Sequence, residues 1–304
     1  MKFFSLSALL MLSINVIAQV GPSQNQIATF EDGTKISYSV QDNVGDNQFA
    51  NTIAAFNQAD NRDIGCYSLM YGRLQPDRFY AYGELGMMFG NGFAGVSAGG
   101  IYFLASSEKE YMLPMSIRSV SSGNTETKYV IKTPAIKNKH LGAHFEAGYK
   151  RYNVLLSTVS TENRSYQLTS LSSGQVAIGL GYVSTKQALV KVDGKSYMGG
   201  SRLFKMTADL LVYPGMKFES TPADSASASV PLTLKDFSQG AVGFRVQIEG
   251  QGSFKFKKKS ILQTNFGFFY RLGVMKAAYV SPSGIAITSS GISGIFALGF
   301  FFKF

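Results

Sequence analysis

Every second residue near the end of the chain is apolar. In "GISGIFALGFFFKF", Ile292, Gly294, Phe296, Leu298, Phe300, Phe302 and Phe304 fall on one face, and Ser293, Ile295, Ala297, Gly299, Phe301 and Lys303 on the other. Side chains alternate across a strand, so a period of two predicts β-structure with one greasy face. The period recurs upstream. Val242, Phe244, Val246 and Ile248 oppose Gly243, Arg245, Gln247 and Glu249; Leu262, Phe266, Phe268, Tyr270 and Leu272 oppose Gln263, Asn265, Gly267 and Arg271. Phe204, Met206, Ala208, Leu210 and Val212 oppose Lys205, Thr207 and Asp209; Leu141, Ala143, Phe145, Ala147 and Tyr149 oppose Gly142, His144, Glu146, Gly148 and Lys150. Phe79, Leu85, Met87 and Phe89 oppose Tyr80, Tyr82, Glu84 and Gly86.

A soluble sandwich alternates too, with its apolar face inward. Two details favour the inverse. The polar faces are rich in glycine, which suits a crowded barrel interior. The stripes also run about 9–11 residues, the length that crosses a bilayer at a tilt. A sheet in lipid must close, because an open edge leaves backbone groups unpaired. Strands are expected at 34–40, 65–74, 79–89, 93–105, 109–118, 140–150, 152–160, 174–190, 197–213, 240–250, 261–272 and 291–304. The expected fold is therefore all-β, a closed antiparallel transmembrane barrel of about 12 strands, and counts of 10–14 fit the same pattern.

Turn chemistry sorts the connections. Gln75–Asp77, Ser106–Lys109, Lys150–Asn153, Asp193–Ser196 and Gly250–Ser260 become turns at one end, and Asp-Gly in particular favours a tight hairpin. The segments 41–64, 119–139, 161–173, 214–239 and 273–290, with the short Gly90–Gly92, become the connections of the other end.

Composition adds a compartment. Met1-Lys2 precedes the apolar run "FFSLSALLMLSINVI" and the short residues Val16 and Ala18, the pattern of a secretory signal peptide over 1–18. One cysteine, Cys66, permits no internal disulfide, so stability must come from elsewhere, such as a closed sheet. The 304 residues carry 24 Phe, 16 Tyr and 32 Gly but no Trp, and a net charge of +10, with "KFKKK" at Lys255–Lys259 as the densest basic run. In an exported chain that excess fits anionic lipid or lipopolysaccharide phosphate better than nucleic acid.

A signal peptide, strands of membrane-spanning length and a last strand ending on an aromatic residue resemble the Gram-negative outer-membrane β-barrel proteins. The resemblance implies an outer-membrane location, a periplasmic segment over 19–33 and a barrel over 34–304. It also implies recognition of Leu298, Phe300, Phe302 and Phe304 by the barrel-assembly machinery, and contact with outer-membrane lipid and lipopolysaccharide. The oligomeric state stays open.

Chemistry is sparse. His140 and His144 would lie about 13 Å apart in a strand, with no cysteine to complete a metal site. The glycine clusters, such as "GNGFAGVSAGG", precede no helix, the context that a phosphate cradle or a nucleophile elbow needs. No enzyme activity, metal or cofactor is expected. The polar faces gather Glu84, Glu146, Lys150, Lys205, Asp209, Arg245, Glu249 and Arg271, expected to line the lumen. Buried charges of mixed sign must pair or stay wet. The expected role is structural or surface-exposed, with a filled or narrow lumen. The alternatives are a porin-like passive channel for small solutes and a secreted soluble β-sandwich or lipocalin-like binder. Lys128, Lys132, Lys137 and Lys139 are expected on an outer loop, facing lipopolysaccharide phosphates.

Overall fold

The computed structural model describes residues 25–40, 49, 51–60, 63–88, 92–122, 125–159, 164–193, 196–215, 217–220, 238–239, 242–253, 265–276, 279–280, 285–287 and 292–303. The expected signal peptide, the Lys255–Lys259 run and Phe304 lie outside the described residues. The strands are β1 (Asn25–Thr29), β2 (Lys35–Val40), β3 (Thr52–Asp60), β4 (Asp63–Gln75), β5 (Phe79–Met88), β6 (Gly92–Ser122), β7 (Thr125–Val159) and β8 (Arg164–Val192). They continue as β9 (Ser196–Val212), β10 (Lys217–Ser220), β11 (Ser238–Gln239), β12 (Val242–Ser253), β13 (Phe266–Lys276), β14 (Tyr279–Val280), β15 (Ile285–Ile287) and β16 (Ile292–Lys303).

Ten of them form a closed antiparallel ring in the order β3, β4, β5, β6, β7, β8, β9, β12, β13, β16. The ring closes where β16 pairs β3 in nine register pairs, from Ile295↔Asp60 to Lys303↔Thr52. We call the end where β3 begins and β16 finishes the lower end. The turn at 76–78 and Asp193 lie there, and Asp77 and Asp193 adopt positive φ.

The count is ten, not twelve, for three reasons. The expected strands 93–105 and 109–118 are one strand, β6, and 140–150 and 152–160 are one strand, β7. Ser106–Lys109 and Lys150–Asn153 therefore run on as strand instead of turning. Pro114 survives because β5 partners β6 only as far as Tyr102, so Pro114 sits on an open edge, where a missing N–H is tolerated. The strand 34–40 is not in the wall: β2 hairpins with β1 and pairs only the last residues of β8. A wall strand, β3, replaces it from within the expected loop 41–64.

Strands β6, β7 and β8 span 31, 35 and 29 residues and run below the ring. Their lower parts, with β1 and β2, build a tip with a core of Ile36, Met115, Ile117, Ile131, Ala135, Ala188, Val190 and Val192. The segment 119–139 thus belongs to a hairpin at the lower end, where the last strand also finishes. It is not a loop at the other end.

The buried face reverses between ring and tip. On β7, His144 and Glu146 are buried in the ring while Leu141, Phe145 and Tyr149 are 52%, 54% and 43% exposed. Below, Ile131 and Ala135 are buried and Lys132 and Pro134 exposed. On β8, odd residues Val183, Thr185 and Gln187 are buried in the ring, then even residues Ala188, Val190 and Val192 in the tip. The ring is apolar outside; the tip is apolar inside.

Candidate functional site

Alternation aims the polar residues of β5, β7, β9, β12 and β13 into the ring, where each must find a partner. Two clusters result. In the first, the Arg245 guanidinium donates in two parallel bonds to Glu146, Nη1 to Oε1 at 3.1 Å and Nη2 to Oε2 at 2.9 Å. Its Nε and Nη2 also reach Asp209 Oδ2, at 3.1 and 2.8 Å. Lys150 Nζ lies 3.8 Å from Glu146 Oε1. In the second, Arg271 Nε donates to Glu249 Oε1 at 2.8 Å, and Nη2 to Glu84 Oε2 at 2.8 Å. Lys205 Nζ lies 2.7 Å from Glu249 Oε2. Each cluster holds one arginine, one lysine and two carboxylates, so each is balanced. The eight charged residues expected to line the lumen all sit in these two clusters.

The register explains how partners meet. Arg245 stands directly opposite Asp209, and Glu249 lies between Lys205 on one neighbouring strand and Arg271 on the other. Other contacts reach over a whole strand, and a small residue stands in the gap. Tyr82 faces Gly99, which faces Glu146, and Tyr82 Oη donates to Glu146 Oε2 at 2.6 Å. His144 faces Gly179, which faces Asp209, and His144 Nδ1 is 2.6 Å from Asp209 Oδ1. Arg271 faces Ala297, which faces Gln58, and Nη1 donates to Gln58 Oε1 at 2.9 Å. A Cβ at Gly99 would come 2.9 Å from the Glu146 Cβ, and one at Gly179 2.7 Å from Asp209 Oδ1. Glycine on these inner faces keeps the path clear for the long side chains.

The clusters join through Lys205, whose Nζ lies 4.0 Å from the Tyr82 ring centroid and 5.6 Å from that of Tyr80. Arg271 lies over Phe56 at 4.7 Å. Apolar layers flank them. Toward the lower end lie Phe49, Leu74, Phe103, Val183, Leu203 and Phe301, and toward the upper end Ala177, Leu211, Met275 and Ile295. Lys303 is buried among the lower layer, donates to Ser201 Oγ at 2.5 Å and lies 5.3 Å from the Phe49 ring centroid. The cavity between the clusters, lined by Gln58, Glu84, Glu146, Arg245 and Arg271 among others, measures about 40 Å³. That holds a few waters and no solute.

His140 and His144 go to separate partners, Ser106 Oγ at 2.8 Å for the first and Asp209 for the second. Among the described residues, no three His, Cys, Asp or Glu side chains could hold a metal ion. Leu298, Phe300 and Phe302 all point outward from β16. Gln58 escaped the sequence reading because Phe56 is the single large apolar residue of "AAFNQAD", too few to make a stripe. Phe49 precedes β3 and carries no periodicity at all.

The chain matches no known family model, and no curated protein shows significant similarity to it.

Proposed function

We propose that this chain is an integral outer-membrane β-barrel with a structural or surface-exposed role and a filled lumen. The observation that carries this is the inverted ring: balanced ion clusters inside, and outside a belt including Leu69, Leu85, Leu180, Leu210, Leu298 and Phe300, each at least 43% exposed. Water would not tolerate so continuous an apolar surface on a monomer. Lipid requires it, together with a closed sheet. On β7 the belt runs from Leu141 to Tyr149, about 26 Å along the strand at 3.3 Å per residue, which at a tilt of about 35–45° covers roughly 19–22 Å of an apolar band about 25 Å tall.

A porin-like channel needs a continuous wet path. The 40 Å³ cavity and the apolar layers above and below it argue for a plug instead. A soluble sandwich or lipocalin-like binder needs the apolar faces inward, opposite to the ring. Outer-membrane lipid, lipopolysaccharide and the assembly machinery remain the partners that fit a barrel of this kind.

The test is expression of the full chain in a Gram-negative host, followed by flotation with membrane vesicles and gel migration with and without boiling. The expected result is co-flotation and a heat-modifiable band. Release of the protein by osmotic shock, without detergent, would overturn it. In planar bilayers the protein is expected to give no steady conductance, and steady single-channel steps would favour the channel.

A further inference from the structure

At the neck between belt and tip, four cations stand side by side. Lys109 on β6 faces Lys137 on β7, Lys137 faces Lys186 on β8, and Lys186 faces Arg202 on β9. Register partners share a face, so the four form one row across four adjacent strands. Lys139 stands on the same face two residues higher, opposite Ser107 and Ser184. Glu108 and Glu110 flank Lys109 in sequence but point to the other face, as alternation requires. Among the described residues, no carboxylate forms an ion pair with any of the five. Lys186 rests 5.0 Å from the Tyr111 ring centroid, and Lys137 and Lys186 are half-buried in the notch.

Like charges directly opposite one another in a sheet destabilise it. The interior of the same barrel pairs every cation of its two clusters with an acid. A row of four that lacks acids, on the outer face, answers to a charge from outside the chain. Its height names the source. Moving up the same face, the next row is Ser107, Lys139, Ser184 and Phe204, and the one above is Ala105, Leu141, Tyr182 and Met206. The belt proper begins there, so the four cations lie about 13 Å along β7 below Leu141. Tyr182 and Phe204 meet edge to face just above them, where aromatic residues mark a bilayer interface.

We propose that Lys109, Lys137, Lys186 and Arg202, with Lys139, bind the phosphates of anionic lipid headgroups in the leaflet at the lower end of the barrel. This rests on the membrane reading above. Lys137 and Lys186 are half-buried beside the tip, while Lys109, Lys139 and Arg202 are exposed to an approaching headgroup.

The experiment uses the full chain in detergent, incubated with phosphatidylglycerol or with phosphatidylcholine of the same acyl chains, and reads retained lipid by native mass spectrometry. The native chain is expected to retain phosphatidylglycerol in preference. The variant K109Q/K137Q/K186Q/R202Q is expected to lose that preference, and single variants to lower it about fivefold each. The control K128Q/K132Q, which removes cations from the tip's outer face, is expected to keep it. Folding of each variant is checked by its heat-modifiable band. An undiminished preference in the fourfold variant overturns the proposal. So does equal retention of both lipids by the native chain. Displacement by millimolar inorganic phosphate would assign the row to free phosphate and overturn the lipid assignment. If the native chain does not float with vesicles, the membrane reading itself fails, whereas flotation without lipid preference removes the row alone.

Discussion

Ring and tip share three strands, β6, β7 and β8, yet they obey opposite rules. On β7, the ring buries Glu146 and exposes Phe145; nearer the start of the same strand, the tip buries Ile131 and exposes Lys132. On β7 the strand runs through both without a break. What changes is the medium each face must satisfy. A covered face in a small sandwich wants apolar residues, because burying them removes them from water. The inward face of a closed ring whose outside is already apolar can be polar, provided its charges are balanced and bonded. The reversal marks the level at which the outer face of the wall changes from apolar to polar.

The largest test removes one side of a balanced cluster. Arg245→Ala would strand Glu146 and Asp209 in the interior, and stability is expected to fall by about 3–5 kcal/mol, read by urea unfolding in lipid vesicles. A loss below about 1 kcal/mol would mean that water, not Arg245, satisfies those acids. Next is the outer wall. Phe300→Arg replaces a residue that is 56% exposed. In water such a change is nearly neutral, but in a bilayer it is expected to cost about 2–4 kcal/mol, falling toward the interfaces. Near-neutrality in vesicles would break the comparison at its root.

In the tip, Ile131→Val is expected to cost about 0.5–1.5 kcal/mol. Hydrogen exchange should place the loss in residues 111–135 and leave β12 and β13 as protected as before. The smallest effect concerns the hairpin of β1 and β2. Tyr129 donates to Asp32 Oδ2 at 2.6 Å and the Thr34 amide to Oδ1 at 2.9 Å, which holds the Asp32 carboxyl below its ordinary value. With the folded value lowered, the contribution is complete above the ordinary value of 3.8 and fades as pH falls through the folded value. Proteolysis near Asp32 should quicken only below about pH 4, and Asp32→Asn should abolish that dependence.

The sequence revealed most where one medium acts over a long stretch. Residues 204–212, 242–249 and 266–272 keep a strict period of two because an apolar exterior and a bonded interior are each uniform along them. The eight inward charges were legible for the same reason. What stayed hidden was non-local. Ser106–Lys109 carries turn-forming residues, but its partner strand holds it extended, and β7 continues through Lys150–Asn153 because β8 does. Strand β3 was concealed by small residues: Ala54, Ala55 and Ala59 give no stripe. The cationic row depends on register across four strands, and no single-strand pattern contains it.

Arg271 has one further consequence. It reaches over Ala297 on the last wall strand to Gln58 on the first, and beyond to Glu84. The junction between the first and last wall strands is thus bolted from within. Prying β3 from β16 sideways would break nine register pairs and also leave a guanidinium without Gln58 or Glu84. Opening the wall at this seam would cost a buried ion pair as well as a sheet edge.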